Sequence, residues 1–210
     1  MKYKVMIVED QTMPRELFEL RIQASEHFEA ALSIDNAALA DVYCLRFPVD
    51  LILMDVVTRG GESGLDAAER IKRTFPQIKI IIVTSMPECS YLSRAREIGV
   101  ESFWYKEEQR ESLLDVMERT MAGESVYPDA TPELQLGLAS SYKFTDRELE
   151  VLREMTGGDT NQEIAERLHL SVASVKTHIL NMLEKTGFKN RTELAVRARE
   201  SGLVILNRKN

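Results

Sequence analysis

Short apolar runs alternate with helix-like segments in the first half of the chain. The runs have the length of strands and cover residues 4–8, 28–34, 51–55, 79–84 and 102–105. Between them, apolar residues recur every three or four positions, as in Leu65, Ala68 and Ile71. This alternation predicts a parallel sheet with helices on both faces, because continuous apolar strands must be covered on each side.

The second half of the chain carries only helical signals. Residues that can cap a helix are Thr145, Thr160, Ser171 and Asn190. A glutamate follows the first, second and fourth of these by three residues, which is the spacing of a capping box. About three residues separate the second helix from the third, and this short connection predicts a helix-turn-helix.

Residues 123–142 mix Gly, Pro, Ser and single apolar residues, which is typical of a linker. We therefore predict one domain at 1–122 and another at 143–210, with a short helix at 132–138 within the linker. A chain of 210 residues has room for two small domains.

The net charge of −7 conceals a difference between the two halves. Residues 143–210 hold twelve Lys/Arg and ten Asp/Glu, a net of +2, which leaves 15 minus 24, or −9, for residues 1–142. From Ser171 onward there are eight basic and three acidic residues. A basic C-terminal segment of this kind favours contact with a phosphate backbone.

The remaining composition excludes several classes of protein. With 44% apolar and 29% charged residues the chain is ordinary for a soluble protein, and its apolar runs are too short to cross a membrane. No leader precedes the first strand-like run, so we expect a cytoplasmic protein in which Cys44 and Cys89 stay reduced.

Polar residues follow the predicted strands where parallel sheets bind ligands. Glu9 and Asp10 follow the first strand, Asp55 ends the third, Thr84 ends the fourth and Lys106 follows the fifth. Singly, each could be a solvated loop residue, a helix cap, a core hydroxyl or a surface charge. Together at successive strand ends they indicate an Mg²⁺-assisted phosphoryl site, because crowded carboxylates favour a hard cation.

This order of residues resembles the receiver domains of two-component response regulators. The resemblance implies that Asp55 is the phosphoacceptor and receives its phosphoryl group from a phosphohistidine on a sensor histidine kinase. It also implies that Asp10, Asp55 and the backbone carbonyl of Val57 hold Mg²⁺, with Glu9 acting through a metal-bound water. Thr84 and Lys106 would then bind phosphoryl oxygens.

Several positions depart from the receiver pattern or leave a choice open. Phe103 occupies the place of the family's rotating aromatic residue, although it could also be plain core. The loop after Asp55 is one residue longer than usual, and Glu107 replaces the customary proline, which puts the usual cis peptide in doubt. Val57 and Met86 are apolar where a hydrolytic water would pass, so we hypothesise a long-lived aspartyl phosphate.

One face of the predicted helix at 171–186 is apolar, and the opposite face is small, polar and cationic. Such a face suits the major groove of DNA, although a solvated helix face would have the same composition. The candidate DNA-binding residues are Ser174, Lys176, Thr177, His178, Asn181, Lys185, Lys189 and Arg191. His178 could also be a hydrogen-bonded boundary residue. Leu180 stands where a polar residue is more usual.

Residues 144–204 resemble the LuxR-type DNA-binding domain through the motifs TDRELEVL, NQEIAERL, SVASVKTH and NRTE. With the receiver, they resemble the NarL/FixJ class of response regulators. This implies a flavodoxin-like five-stranded parallel sheet of order 2-1-3-4-5, then a four-helix helix-turn-helix domain. It also implies a transcription regulator rather than an enzyme, with double-stranded DNA as partner and dimerisation on phosphorylation, and it allows contact with RNA polymerase.

Three alternatives remain open at this point. The dimer seam on the last helix, at about 191–201, could use Leu194, Ala195 and Ala198, but the same residues could be internal core. The receiver could be a docking or ligand-sensing module that works without phosphorylation. A Mg²⁺-dependent aspartyl phosphatase is disfavoured, because Val57 stands where a second aspartate would follow the nucleophile.

Overall fold

The computed structural model describes residues 2–88, 90–106 and 111–204. They form two compact units, of which the first extends to residue 130 without 86–88, and the second contains 86–88 and 131–204. The predicted linker is therefore divided, with its first part in one unit and its second part in the other.

The first unit contains a five-stranded parallel sheet of order β2-β1-β3-β4-β5, which confirms the predicted α/β fold. Its strands are β1 (Tyr3–Val8), β2 (Phe28–Ile34), β3 (Leu51–Met54), β4 (Lys79–Thr84) and β5 (Ser102–Tyr105). Its helices are α1 (Thr12–Gln23), α2 (Ala40–Arg46), α3 (Gly64–Thr74), α4 (Ser90–Ile98) and α5 (Leu113–Met121). A 3-10 turn, Ala37–Leu39, leads into α2.

The central strands are buried on both faces, as continuous apolar runs require. All four residues of β3 and the last four of β1 have no exposed surface. One side of the sheet packs on Phe18 and Ile22 of α1 and on Val116 and Met117 of α5. This rigid core fixes the carboxyl ends of the strands, where the candidate site lies.

The second unit is helical apart from a small hairpin. It contains β6 (Gln135–Leu136), β7 (Ala139–Ser140), α6 (Asp146–Thr156), α7 (Asn161–Arg167), α8 (Val172–Thr186) and α9 (Arg191–Ser201), with a 3-10 turn at Ser141–Lys143. Thr145 and Thr160 form capping boxes, while Ser171 and Asn190 cap α8 and α9. These four caps confirm the predicted helix starts.

The predicted linker helix at 132–138 is wrong, because this segment enters the β6–β7 hairpin. Gly137 turns the hairpin with φ 62°. A Cβ atom there would lie 2.2 Å from the carbonyl oxygen of Thr186, so the hairpin packs tightly at the end of α8. Glycine permits both this close approach and the left-handed conformation.

Two further expectations concern membranes and thiols. Among the described helices, none combines the length and apolar character that a membrane crossing needs. Cys44 is a free, half-buried thiol, and burial raises its pKa to about 11. Cys89 lies outside the described residues.

Candidate functional site

The sheet brings the polar strand ends together at one edge. Four strands that precede them, β1, β3, β4 and β5, are neighbours in the sheet. The backbone N–H of Asp55 donates to Val8 O at 2.9 Å, and the N–H of Lys106 donates to Thr84 O at 3.0 Å. These bonds extend the ladder beyond the strands, so the residues after them share one rim.

Glu9, Asp10 and Asp55 form an acidic cluster at this rim, with one carboxylate oxygen from each lying within 4.8 Å of the others. Glu9 is fully buried and Asp55 is 4% exposed, whereas Asp10 is half-buried. Carboxylate oxygens at this spacing are the ligands that Mg²⁺ takes in phosphoryl sites. The cluster therefore fits the cation that the sequence predicts.

Lys106 lies between two of these carboxylates. Its Nζ donates to Asp55 Oδ2 at 2.8 Å and to Glu9 Oε2. Asp55 Oδ1 accepts a longer bond of 3.4 Å from the N–H of Val57. One ammonium against three carboxylates leaves the site with net negative charge, which a divalent cation would offset.

The environment changes the pKa of both Asp55 and Lys106. Burial raises the pKa of the Asp55 carboxyl to about 6, and Glu9 adds to this rise, although the Lys106 ammonium opposes it. Burial acts to lower the pKa of Lys106, but Asp55 and Glu9 outweigh it and the pKa is raised. Lys106 is therefore a permanent cation at neutral pH, and Asp55 is mainly ionised.

The loop between β3 and α3 is shaped by glycine at one essential point. A Cβ atom on Gly64 would lie 1.9 Å from the carbonyl oxygen of Asp55, so only glycine fits beside the candidate phosphoacceptor. Thr58 Oγ1 accepts from the N–H of Ala37 at 3.0 Å, and Ser63 caps α3. The longer loop is thus held at its middle and its end.

Thr84 and Phe103 are both buried in the first unit, at 0% and 1% exposure. The ring of Phe103 lies 5.0 Å from that of Tyr105 and 6.3 Å from that of Tyr127. Tyr127 donates its hydroxyl to Val100 O at 2.7 Å. Phe103 is a core residue in this state, and its movement on phosphorylation stays a prediction.

Two features of the first unit were not predicted from the sequence. Arg15 Nη1 donates to the carbonyl oxygen of Glu9 at 3.1 Å, which adds a cation beside the acidic cluster. Arg15 follows Asp10 by five residues, and this spacing alone gave no signal. Tyr127 lies under the guanidinium of Arg96 at 4.7 Å, so the start of the linker packs onto the first unit.

Glu107, where the sequence puts the usual cis peptide in doubt, lies outside the described residues.

In the second unit, α8 buries one face and exposes the other. Val175, Ile179 and Met182 lie in the core, whereas Lys176, Thr177 and Asn181 are exposed. Ser174 and His178, four positions apart, are half-buried along one margin of this face. This arrangement leaves the predicted DNA-binding face of the helix open to a partner.

Other candidate DNA-binding residues bond within the second unit. Lys185 Nζ donates to both carboxylate oxygens of Glu148, at 2.8 and 2.6 Å. Arg191 donates to Asn161 Oδ1 at 3.0 Å and to Asp159 O at 2.7 Å. Lys189 is exposed. Contact of Lys185 or Arg191 with DNA would have to compete with these internal bonds.

The candidate dimer seam on α9 lies partly inside the domain. Leu194 and Ala198 are fully buried in the core of the second unit, and Ala195 packs against it. Val196 on the same helix is 50% exposed. The internal-core alternative therefore describes Leu194 and Ala198, and a dimer surface on α9 would use other side chains.

Known protein families match both units. The sequence model of the family described as response regulator receiver domain matches residues 5–118, more than half of the chain. The chain belongs to the response regulators. A second model, described as bacterial regulatory proteins of the luxR family, matches residues 142–198. The protein is thus a response regulator of the NarL/FixJ class, a family of transcription regulators rather than classical enzymes.

Individual relatives share this organisation along their whole length. The chain is 31% identical to the response regulator protein VraR from Staphylococcus epidermidis over 212 residues, which cover 97% of this chain and 100% of the relative. VraR from Staphylococcus aureus is also 31% identical, over 220 residues with the same coverage.

A solved structure gives the same fold. RcsB from Salmonella enterica serovar Typhimurium, bound to a promoter in the presence of phosphomimetic BeF3−, superposes with a TM-score of 0.62 at 20% identity. The match covers 97% of this chain and 100% of that chain.

Proposed function

We propose that this response regulator accepts a phosphoryl group on Asp55 from a sensor histidine kinase and then binds promoter DNA through α8. The observation that carries the first step is the acidic cluster at the sheet edge, with Lys106 on Asp55 at 2.8 Å. Response regulators work with a histidine kinase and with DNA, which supports the same partners here. RNA polymerase is a further proposed partner.

The chemistry of transfer follows from the atoms around Asp55. An ionised carboxylate oxygen attacks phosphorus in line, the N–P bond of the phosphohistidine breaks, and the imidazole leaves with the electron pair. Lys106 holds its ammonium where negative charge lies on the phosphoryl oxygens. Asp10, Asp55 and the backbone carbonyl of Val57 would hold Mg²⁺, with Glu9 acting through a metal-bound water. The ion would supply further charge neutralisation when bound.

Phosphorylation of Asp55 must then change the structure away from the site. We propose that the Thr84 hydroxyl bonds a phosphoryl oxygen and that Phe103 changes its packing in response. The aspartyl phosphate favours a dimer that presents two copies of α8, because paired half-sites raise the effective concentration of the second domain. The candidate contacts on the open face of α8 are Ser174, Lys176, Thr177, His178 and Asn181, with Lys189 beyond it.

The direct experiment is an Asp55→Asn variant incubated with acetyl phosphate and Mg²⁺. We expect complete loss of phosphorylation by intact-protein mass spectrometry, with the fold unchanged by circular dichroism. The control is Asp35→Asn, which removes an exposed carboxylate after β2 and should be phosphorylated normally. Phosphate retained by Asp55→Asn would assign another acceptor. No phosphorylation of the wild type, with no change in its oligomeric state, would favour a docking or ligand-sensing receiver.

The lifetime of the phosphate tests the apolar residues that follow Asp55 and Thr84 by two positions, Val57 and Met86. We expect a double variant, Val57→Asn with Met86→Gln, to lose its phosphate faster than the wild type, because polar groups there would help to orient a hydrolytic water. The measurement is the decay of phosphoprotein after removal of the donor. An unchanged decay rate would contradict the hypothesis of a long-lived phosphate.

A further inference from the structure

The exposed face of α8 carries one large apolar side chain. Leu180 is 59% exposed, and in the described helix the other large apolar residues are buried or half-buried. Leu180 follows Thr177 by three residues and Ala173 by seven, so the three side chains form a row along one face. Ala173 and Thr177 are also exposed.

The hydroxyl of Thr177 is already engaged within the helix. Thr177 Oγ1 donates to the carbonyl oxygen of Ala173 at 3.0 Å. The hydroxyl proton of Thr177 is therefore already used in a hydrogen bond. The side chain still offers its methyl group and its acceptor oxygen to a partner. The row thus presents the methyl of Ala173, the methyl of Thr177 and the isobutyl group of Leu180.

The charges beside this row indicate which partner covers it. Lys176 is exposed, and it has no hydrogen bond or ion pair among the described residues. The first turn of α8 contains no acidic residue. A row one side chain wide, with a cation beside it, is too narrow for a stable protein interface. It suits a polyanion with a small apolar feature on its surface.

We propose that Leu180 is a specificity-determining residue that contacts the C5-methyl group of a thymine in the major groove. The thymine methyl is the one apolar group among the base edges of that groove. The polar edge of a guanine or cytosine would lose water against Leu180 without gaining a hydrogen bond. This inference rests on the proposed DNA binding by α8 and adds the base class that the helix selects.

The test begins with selection of bound sequences from a random duplex pool by the full-length chain, with Mg²⁺ and BeF3−, at fixed salt. Each thymine of a selected duplex is then replaced singly by deoxyuridine, which lacks only the methyl group. We expect one position per half-site at which this replacement weakens wild-type binding about fourfold, the value of one buried methyl group. Fluorescence anisotropy gives the dissociation constants.

Two variants separate Leu180 from other exposed apolar residues. Leu180→Ala should bind the thymine and deoxyuridine duplexes with nearly equal affinity. Leu138→Ala removes the same group from the β6–β7 turn, where Leu138 is 84% exposed, and should keep the wild-type preference. Both changes are at exposed sites, so we expect both variants to fold.

The outcomes distinguish this inference from the proposed function. Two results would overturn the role of Leu180 and leave the proposed DNA binding intact. Either the wild type binds the thymine and deoxyuridine duplexes equally, or Leu180→Ala loses as much affinity on deoxyuridine replacement as the wild type does. A change in oligomeric state of Leu180→Ala, without loss of methyl preference, would assign Leu180 to a protein contact instead. Failure of the wild-type chain to bind or enrich any duplex would overturn the proposed DNA binding and this inference together.

Discussion

The two candidate functional surfaces use lysine in opposite ways. In the first unit, Lys106 is largely buried and bonded to Asp55 and Glu9. On α8, Lys176 is exposed and bonds to none of the described residues. The difference follows from the ligands, because a phosphoryl site must be organised before a small group arrives. A DNA-binding helix must instead keep its donors available for the phosphates and base edges of its partner.

The same difference appears within α8 itself. Lys176 and Lys185 lie on one helix, nine positions apart, yet Lys185 is bound by Glu148 of α6. Its ammonium therefore joins α8 to α6. A cation on a recognition helix is therefore not by itself evidence of DNA contact.

The largest effect we expect comes from removing the organised cation. Lys106→Met should slow phosphorylation by acetyl phosphate about a hundredfold, because it deletes a preorganised group at the developing charge. Phosphate-affinity gel electrophoresis follows the rate. The matched control is Lys72→Met, since Lys72 is also shielded and ion-paired, to Glu101 at 2.7 Å, but away from the acidic cluster. Equal slowing in both variants would reduce Lys106 to a structural role.

The second prediction compares the two lysines of α8. Lys176→Ala should weaken DNA binding by roughly 1–3 kcal/mol if it contacts a base, and Lys185→Ala should weaken it less. Titration of the selected duplex by fluorescence anisotropy measures both. If Lys176→Ala loses the same affinity for every DNA sequence, Lys176 contacts the phosphate backbone rather than a base. Equal losses of affinity in the two variants would contradict the difference we expect between Lys176 and Lys185.

The smallest effect concerns stability and its dependence on pH. Burial acts to raise the pKa of Glu148, but the hydrogen bonds from Lys185 and Thr145 outweigh it and the pKa is lowered. The ionised form therefore stabilises the folded unit above the ordinary glutamate pKa, and this contribution is lost as pH falls through the lowered value. We expect Glu148→Gln to destabilise the second unit by about 1 kcal/mol at neutral pH.

Amide hydrogen exchange in α6 and α8 of the full chain measures this difference. The difference between wild type and Glu148→Gln should vanish in acid, since both then carry an uncharged side chain. Lys185→Met provides the partner control, because it removes the other half of the pair. A difference that persists after Glu148 is protonated would show that packing, not charge, is responsible.

The fold was largely predictable because its signals are local. The strand positions follow from apolar runs, and the four helix starts of the second unit follow from Thr145, Thr160, Ser171 and Asn190. The wrong linker helix at 132–138 shows the limit of such signals. There Gly137 is fixed by its approach to Thr186, and residues so distant in sequence give no local pattern.

The sequence by itself determined the elements and the edge of the sheet at which Asp55, Thr84 and Lys106 would meet. It did so because side-chain periodicity, capping and strand ends are properties of neighbouring residues. Only the tertiary structure decided which lysine side chains form ion pairs within the protein. The pairs Lys106–Glu9 and Lys185–Glu148 join residues 97 and 37 positions apart. Core packing sets these distances. Helical periodicity places Lys176 and Lys185 on opposite flanks of α8, but no local pattern shows that Glu148 lies beside Lys185.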